Sequence, residues 1–150
     1  DAYLRGNKKA MSKAALRGMK LFSGKAGCID CHSGAYFSDS SYHNLGIGYS
    51  KGHYKDVGRY DVTKNPKDMG AFKTPTLRNV AKTPPYMHDG SVKTLMEVIN
   101  IYDRGGIPNP HLDSKIERLR LSRGEKSDLV AFLKSLTGKP VFVSPPVLPK

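Results

Sequence analysis

The residues whose spacing carries the most chemistry are Cys28, Cys31 and His32, in the run Cys28-Ile29-Asp30-Cys31-His32. The two thiols are the only cysteines in the chain. Each can add to one vinyl group of a haem, and the imidazole that follows is then placed to bind the iron. The pattern therefore reads as one haem c joined to Cys28 and Cys31, with His32 as the proximal axial ligand. Three other chemistries share the spacing. A dithiol redox pair wants a βαβ context, which the neighbouring sequence does not supply. A zinc site would draw on two of His32, His43 and His53, and such sites more often have a second CxxC or an HxxxH pair. A disulfide across two residues would be strained.

The far side of the iron decides what such a centre does, because an occupied sixth position favours electron transfer and an open one permits chemistry on peroxide. The candidate ligands are Met11, Met19, Met69, Met87, Met96, His43, His53, His88, His111 and the tyrosines. Met11 and Met19 precede the motif on or beside its own helix. Met96 lies off the apolar stripe of its segment. Tyr102 is on that stripe, either as a ligand or as a core aromatic with a satisfied hydroxyl, and Met87 in a proline-rich loop competes with it.

Three helices are needed to position these groups. The first is expected from Ser12, as N-cap, to Phe22, with Ala15, Leu16, Met19 and Phe22 on its apolar side. Gly18 beside that stripe costs about 1 kcal/mol of helix propensity, which implies that another backbone approaches it. The second starts at the capping box Thr94/Glu97 and stops before Gly105-Gly106; Leu95, Val98, Ile99 and Tyr102 share one face. The third starts at Ser122/Glu125, carries Leu129, Phe132, Leu133 and Leu136, and ends at Gly138 and Pro140. The long stretch between the first two helices has little periodicity and needs an organiser, which a large apolar cofactor would be. The expected fold is all-α: a class I cytochrome c-like helical domain whose long loops wrap one covalent haem, with Phe22 closing an edge of the pocket. Residues 11–139 form that domain, 1–10 read as the remnant of an inter-domain linker, and 140–150, with Pro145, Pro146 and Pro149, as an extended tail.

The formal net charge is +12, from 25 Lys and Arg against 13 Asp and Glu. Such an excess steers acidic partners by long-range attraction, so an acidic redox protein is the expected partner. Nucleic acid is not, since no basic run with interleaved aromatics stands out. No apolar run approaches the roughly 20 residues needed to span a bilayer. Haem attachment of this kind implies a periplasmic, extracytoplasmic location.

Several runs then resemble a known family: Phe72–Val80 (FKTPTLRNV), Thr83–Ser91 (TPPYMHDGS), Tyr102–Gly106 (YDRGG), Asp39–Gly46 (DSSYHNLG) and Gly58-Arg59-Tyr60. They resemble the C-terminal haem domain of bacterial di-haem cytochrome c peroxidases and MauG proteins, over about Leu16 to Gly138. The resemblance implies that the distal ligand is Tyr102, at the position that is Met in the peroxidases and Tyr in MauG, with Arg104 near the phenolate charge. It implies a calcium ion held in part by the carbonyls of Thr83 and Pro85, a haem propionate paired with Arg78, and a structural hydrogen-bonding role for His43. In that family the peroxide-activating haem lies in the N-terminal domain, and no second CxxCH is present here, so the chain is expected to come from a longer protein, to work with a separate partner chain, or to be a stand-alone electron carrier. The expected function is electron transfer through the one haem; the rival is an active peroxidase or MauG-like oxidase reacting with hydrogen peroxide.

Overall fold

Among the described residues, four α-helices carry the fold: α1 (Lys13–Ser23), α2 (Tyr60–Thr63), α3 (Leu95–Asp103) and α4 (Arg123–Ser135). The computed structural model describes residues 1–139, 143, 145 and 146. Most of the 140–150 segment read as an extended tail lies outside the described residues. The three long helices start and stop where the local chemistry dictates. The Ser12 hydroxyl accepts the Ala15 N–H at 3.1 Å. At α3, Thr94 Oγ1 accepts from the Glu97 N–H and the Glu97 carboxylate accepts from the Thr94 N–H, at 3.2 and 2.8 Å. Ser122 and Glu125 make the same reciprocal pair at α4, at 3.2 and 2.7 Å. These bonds satisfy amide donors that a helix start otherwise leaves open. Helix α3 ends at two left-handed glycines, Gly105 and Gly106, whose N–H groups return to the Tyr102 and Ile101 carbonyls.

Helices α1 and α4 cross at Gly18. A Cβ there would fall on the Asp128 carbonyl oxygen and 2.8 Å from the Phe132 Cβ, so the close backbone approach expected from the sequence is present. Arg17 brackets the crossing with a bidentate pair to Asp128, at 2.7 and 2.8 Å. Around it lies the main core, with Phe22, Leu77, Leu95, Ile99, Leu129, Phe132 and Leu133 buried together. A second, smaller cluster of Ile47, Val92 and Ile101 sits apart from the first. Helix α3 serves both, Leu95 and Ile99 in the first and Ile101 in the second.

The expectation of an all-α domain needs correction. Four two-residue strands are present: β1 (Tyr42–His43), β2 (Tyr49–Ser50), β3 (His53–Tyr54) and β4 (Phe72–Lys73). β1 pairs antiparallel with β4, Tyr42 opposite Lys73 and His43 opposite Phe72, and β2 pairs with β3 as a hairpin. Such strands are too short to show a two-residue periodicity in sequence. Their pairing satisfies backbone groups of the long stretch between α1 and α3. The domain is mixed, helical in its core and stapled by short strand pairs in its loops.

Candidate haem site

The CxxCH run follows α1 by a tight turn. Gly27, at φ +59, leads into a 3-10 turn at Cys28–Asp30, and the Cys28 carbonyl accepts the His32 N–H at 2.9 Å. Both cysteines are free and half-buried. Burial pushes the Cys28 thiol up to about 12 and raises that of Cys31 as well. A redox-active CxxC needs a thiolate, which an electropositive surrounding favours and an apolar one does not. The zinc reading loses its geometry. Among the described residues, the one group of ligand-type side chains that gathers near the motif is Cys31, Asp39 and His43, without Cys28 or His32.

His32 Nδ1 lies 2.9 Å from the Phe37 carbonyl oxygen. A carbonyl can only accept, so Nδ1 carries the proton and Nε2 is left with the free lone pair that binds a metal. Burial keeps this imidazole's pKa below the ordinary value, the neutral form that ligation requires. Phe37 itself adopts φ +52, a conformation disfavoured for a residue with a side chain. Its ring is held edge-on to Phe22 and Phe132, with centroids 6.1 and 6.3 Å away.

These groups border one cavity of about 430 Å³. It opens between the two hydrophobic clusters: Phe22, Leu77, Leu129 and Leu133 from the first and Ile47 from the second form its apolar walls. Cys28, Cys31, His32 and Tyr102 all line it, as do Met87, His88, Thr83 and Pro85. The set fits a haem: two thiols, a neutral imidazole with a free Nε2 and an apolar enclosure. Thr74 adds a hydroxyl, 5 % exposed and on the cavity wall, with no hydrogen-bond partner among the described residues. A buried polar atom of this kind calls for a polar substituent on whatever fills the space.

Among the candidate sixth ligands, Tyr86, Tyr102, Met87, His43 and His88 reach the cavity wall; Met11 and Met19 pack into the main core, His53 and His111 are exposed, and Met69 and Met96 do not line the cavity. Burial pushes the Tyr102 phenol well above the ordinary tyrosine value. His88 stacks flat on Phe72, centroids 3.5 Å apart at 7°, an arrangement with no signal in the sequence. Arg78 departs from expectation. It is absent from the cavity wall; its guanidinium is bidentate to Asp1 at 3.0 and 3.1 Å, donates to the Ala35 carbonyl and lies over the Phe37 ring. Arg104 is exposed beyond the end of α3.

His43 is the group that sequence reasoning places least fully. Its Nδ1 faces Asp113 at 2.6 Å and its Nε2 faces Asp39 at 3.0 Å. Both nitrogens meet carboxylates, so both carry protons and the ring is an imidazolium. Burial works against that charge, but the two carboxylates outweigh it and hold the His43 pKa above its ordinary value. Burial likewise opposes ionisation of Asp39 and Asp113, yet their hydrogen bonds, His43 among them, hold both below the usual carboxylate range. The sign of the pH dependence follows. The His43 contribution is complete below the unfolded pKa of about 6.5 and is lost as pH rises through the folded value. The Asp contributions are present above about 4 and are lost as pH falls. Substituting H43Q should lower the unfolding free energy by about 2 kcal/mol near pH 5.5, and urea titrations should find the difference shrinking by pH 9.

No protein-family model matches the chain. Among curated proteins it is 39% identical over 177 residues to cytochrome-c peroxidase IdrP1 of Pseudomonas sp. (strain SCT), covering 99% of this chain and 47% of that protein. It is 38% identical over 149 residues to the methylamine utilization protein MauG of Methylorubrum extorquens, covering 99% and 42%. A solved MauG-like protein associated with microbial copper homeostasis is 39% identical, with a TM-score of 0.78 over 86% of this chain and 48% of that one. The chain belongs to the cytochrome c peroxidase and MauG family. It spans about half the length of the curated relatives it matches. The diheme peroxidase BthA from Burkholderia thailandensis, at 20% identity and a TM-score of 0.70, shares the fold. A family of c-type haem proteins accounts for a CxxCH on the wall of an apolar cavity, and for loops that would otherwise have little to fold around. No helix among the described residues is long and apolar enough to cross a membrane.

Proposed function

We propose that this chain is the C-terminal, electron-transferring haem domain of a cytochrome c peroxidase or MauG-type system, located in the periplasm. One haem is joined to Cys28 and Cys31, with His32 proximal and Tyr102 distal. The observation that carries the reading is that a single apolar cavity gathers the CxxCH run on one wall and Tyr102 of α3 on another. Haem, when bound, supplies a one-electron iron couple. The chain's residues do the rest. The Phe37 carbonyl fixes the His32 tautomer and ring orientation, raising its donor strength. Phe22, Leu129 and Leu133 exclude water from the centre, and Tyr102 occupies the position a small oxidant would otherwise take. Calcium requires six to eight oxygens; Thr83 and Pro85, both on the cavity rim, supply two carbonyls, and the others would come from a second domain and water.

The Tyr102→Phe variant tests the distal ligand. Its ferric spectrum should lose the tyrosinate charge-transfer band, and its potential should rise on the order of 100 mV, because the axial ligand tunes haem potentials over a wide range. The variant Met87→Leu should leave both unchanged. The reverse pattern would make Met87 the ligand. The relatives' names favour one rival, a haem that itself reacts with peroxide, and a high-spin ferric spectrum that changes on adding hydrogen peroxide would establish it.

A further inference from the structure

The basic residues are spread along the sequence, but the fold gathers four arginines on one face. Residues 117–121 run past the end of α3, with a left-handed turn at Arg120 (φ +53): Leu119 N–H donates to the Asp103 carbonyl at 3.2 Å, and Leu121 N–H to the Asp103 carboxylate at 2.7 Å. Leu119 and Leu121 pack into the main core while Arg118 and Arg120 are exposed. Arg104 pairs with Arg118 across an isolated antiparallel bridge, and Arg123 opens α4.

This placement is costly. Like charges directly opposite one another on paired backbone repel, and a cation in the first turn of a helix opposes its dipole. The nearby carboxylates are already committed: Asp103 to Lys126 at 2.6 Å, Glu125 to Lys25 at 2.8 Å and Asp128 to Arg17 at 2.7 Å. The chain has eight arginines. Arg17, Arg59 and Arg78 are ion-paired, whereas Arg104, Arg118, Arg120 and Arg123, with Arg5 near the start of the chain, have no ionic partner among the described residues. Glu117 is the one acid on the strip without such a partner among them.

We propose that this arginine strip is the docking surface for an acidic redox protein, an inference that rests on the electron-transfer reading above. Guanidinium groups favour bidentate pairing with carboxylates. Four such groups, on residues 104, 118, 120 and 123, offer more contacts than a small anion can use, which suits an acidic protein surface better. The strip is also the outer side of the haem cavity's wall, for Ile116, Glu117 and Leu119 line that cavity on its inner side together with Tyr102. A partner seated there is separated from the cavity by one layer of side chains. Single-stranded nucleic acid is disfavoured by the absence of any aromatic residue within 116–123.

The test measures binding of the haem-loaded chain to a small c-type cytochrome of net negative charge, as a function of salt. The triple variant R118E/R120E/R123E should weaken association at low ionic strength by about 10- to 100-fold and flatten the salt dependence. R118Q/R120Q/R123Q should give an intermediate loss, and the melting temperatures of both should not fall. Arg104 stays intact because it neighbours Tyr102. A control of equal charge change, K51E/K55E/K67E on the 49–68 loops, should stay within about threefold of wild type. Equal losses in the two triple variants would mean that only net charge matters, and would overturn the proposal. So would an unchanged strip variant, or a wild type that ignores the acidic cytochrome and binds duplex DNA or anionic vesicles through the strip. The Tyr102→Phe spectrum is read separately, so failure of the ligation reading cannot be mistaken for failure of the docking surface.

Discussion

The double variant C28S/C31S should emerge without a covalent haem: its mass should be that of the polypeptide alone, and any bound porphyrin should be extractable with acidified organic solvent. Wild type should retain its haem through the same treatment. Serine keeps the size of the side chain but cannot form a thioether, so the change isolates attachment from packing. The stability consequence should be large, because the cavity separates two hydrophobic clusters that barely share residues. A group filling it buries the facing sides of both. Its loss removes binding free energy of about 4 kcal/mol, or roughly 15 °C of melting temperature in a domain of this size. A variant that kept its haem through the extraction would end the thioether reading, and a colourless wild type carrying zinc would replace the haem altogether.

The second large effect is at the helix crossing, where two rules compete. Helix propensity alone says that Gly18→Ala should stabilise α1 by about 1 kcal/mol. Packing says the opposite, since the new methyl would fall on the Asp128 carbonyl oxygen and lie 2.8 Å from the Phe132 Cβ. The obstacle is backbone on one side, which cannot rotate away, so the clash wins. Gly18→Ala should cost about 2 kcal/mol net and Gly18→Val at least about 3. Gly124 is the control. It lies in the first turn of α4, and the nearest outside atom to an added methyl there, Ser122 Oγ, would be 4.0 Å away, so Gly124→Ala should stabilise by about 0.5 kcal/mol. Chemical denaturation of the three variants would reveal opposite signs for the same substitution. A stabilising Gly18→Ala would show that α1 and α4 do not cross in this way.

The helices are legible in sequence because their signals are local. Two capping boxes, one N-cap serine and the glycine pair at 105–106 fix the ends of α1, α3 and α4 to within a residue or so. The attachment motif is legible for the same reason, as five consecutive positions. What the sequence hides depends on long-range pairing. The strand pair joining Tyr42–His43 to Phe72–Lys73 closes a gap of about thirty residues, and two-residue strands carry no periodicity to detect. The clamp of His43 between Asp39 and Asp113 brings one carboxylate from seventy positions away. Arg78 and Asp1 pair across seventy-seven positions, another contact that no local signal announces. The arginine strip is invisible in sequence because residue 104 and residues 118–123 meet only through long-range contacts, the Arg104–Arg118 bridge and the bonds to Asp103.

Phe37 has a consequence for the metal chemistry. Its ring wedges against Phe22 of α1 and Phe132 of α4, and its carbonyl holds the His32 imidazole. Were a haem iron bound by that imidazole, the strength of its donor nitrogen would depend on how α1 and α4 cross. Loosening of that crossing would lengthen the carbonyl contact and weaken the donor, so helix packing and ligand basicity would move together.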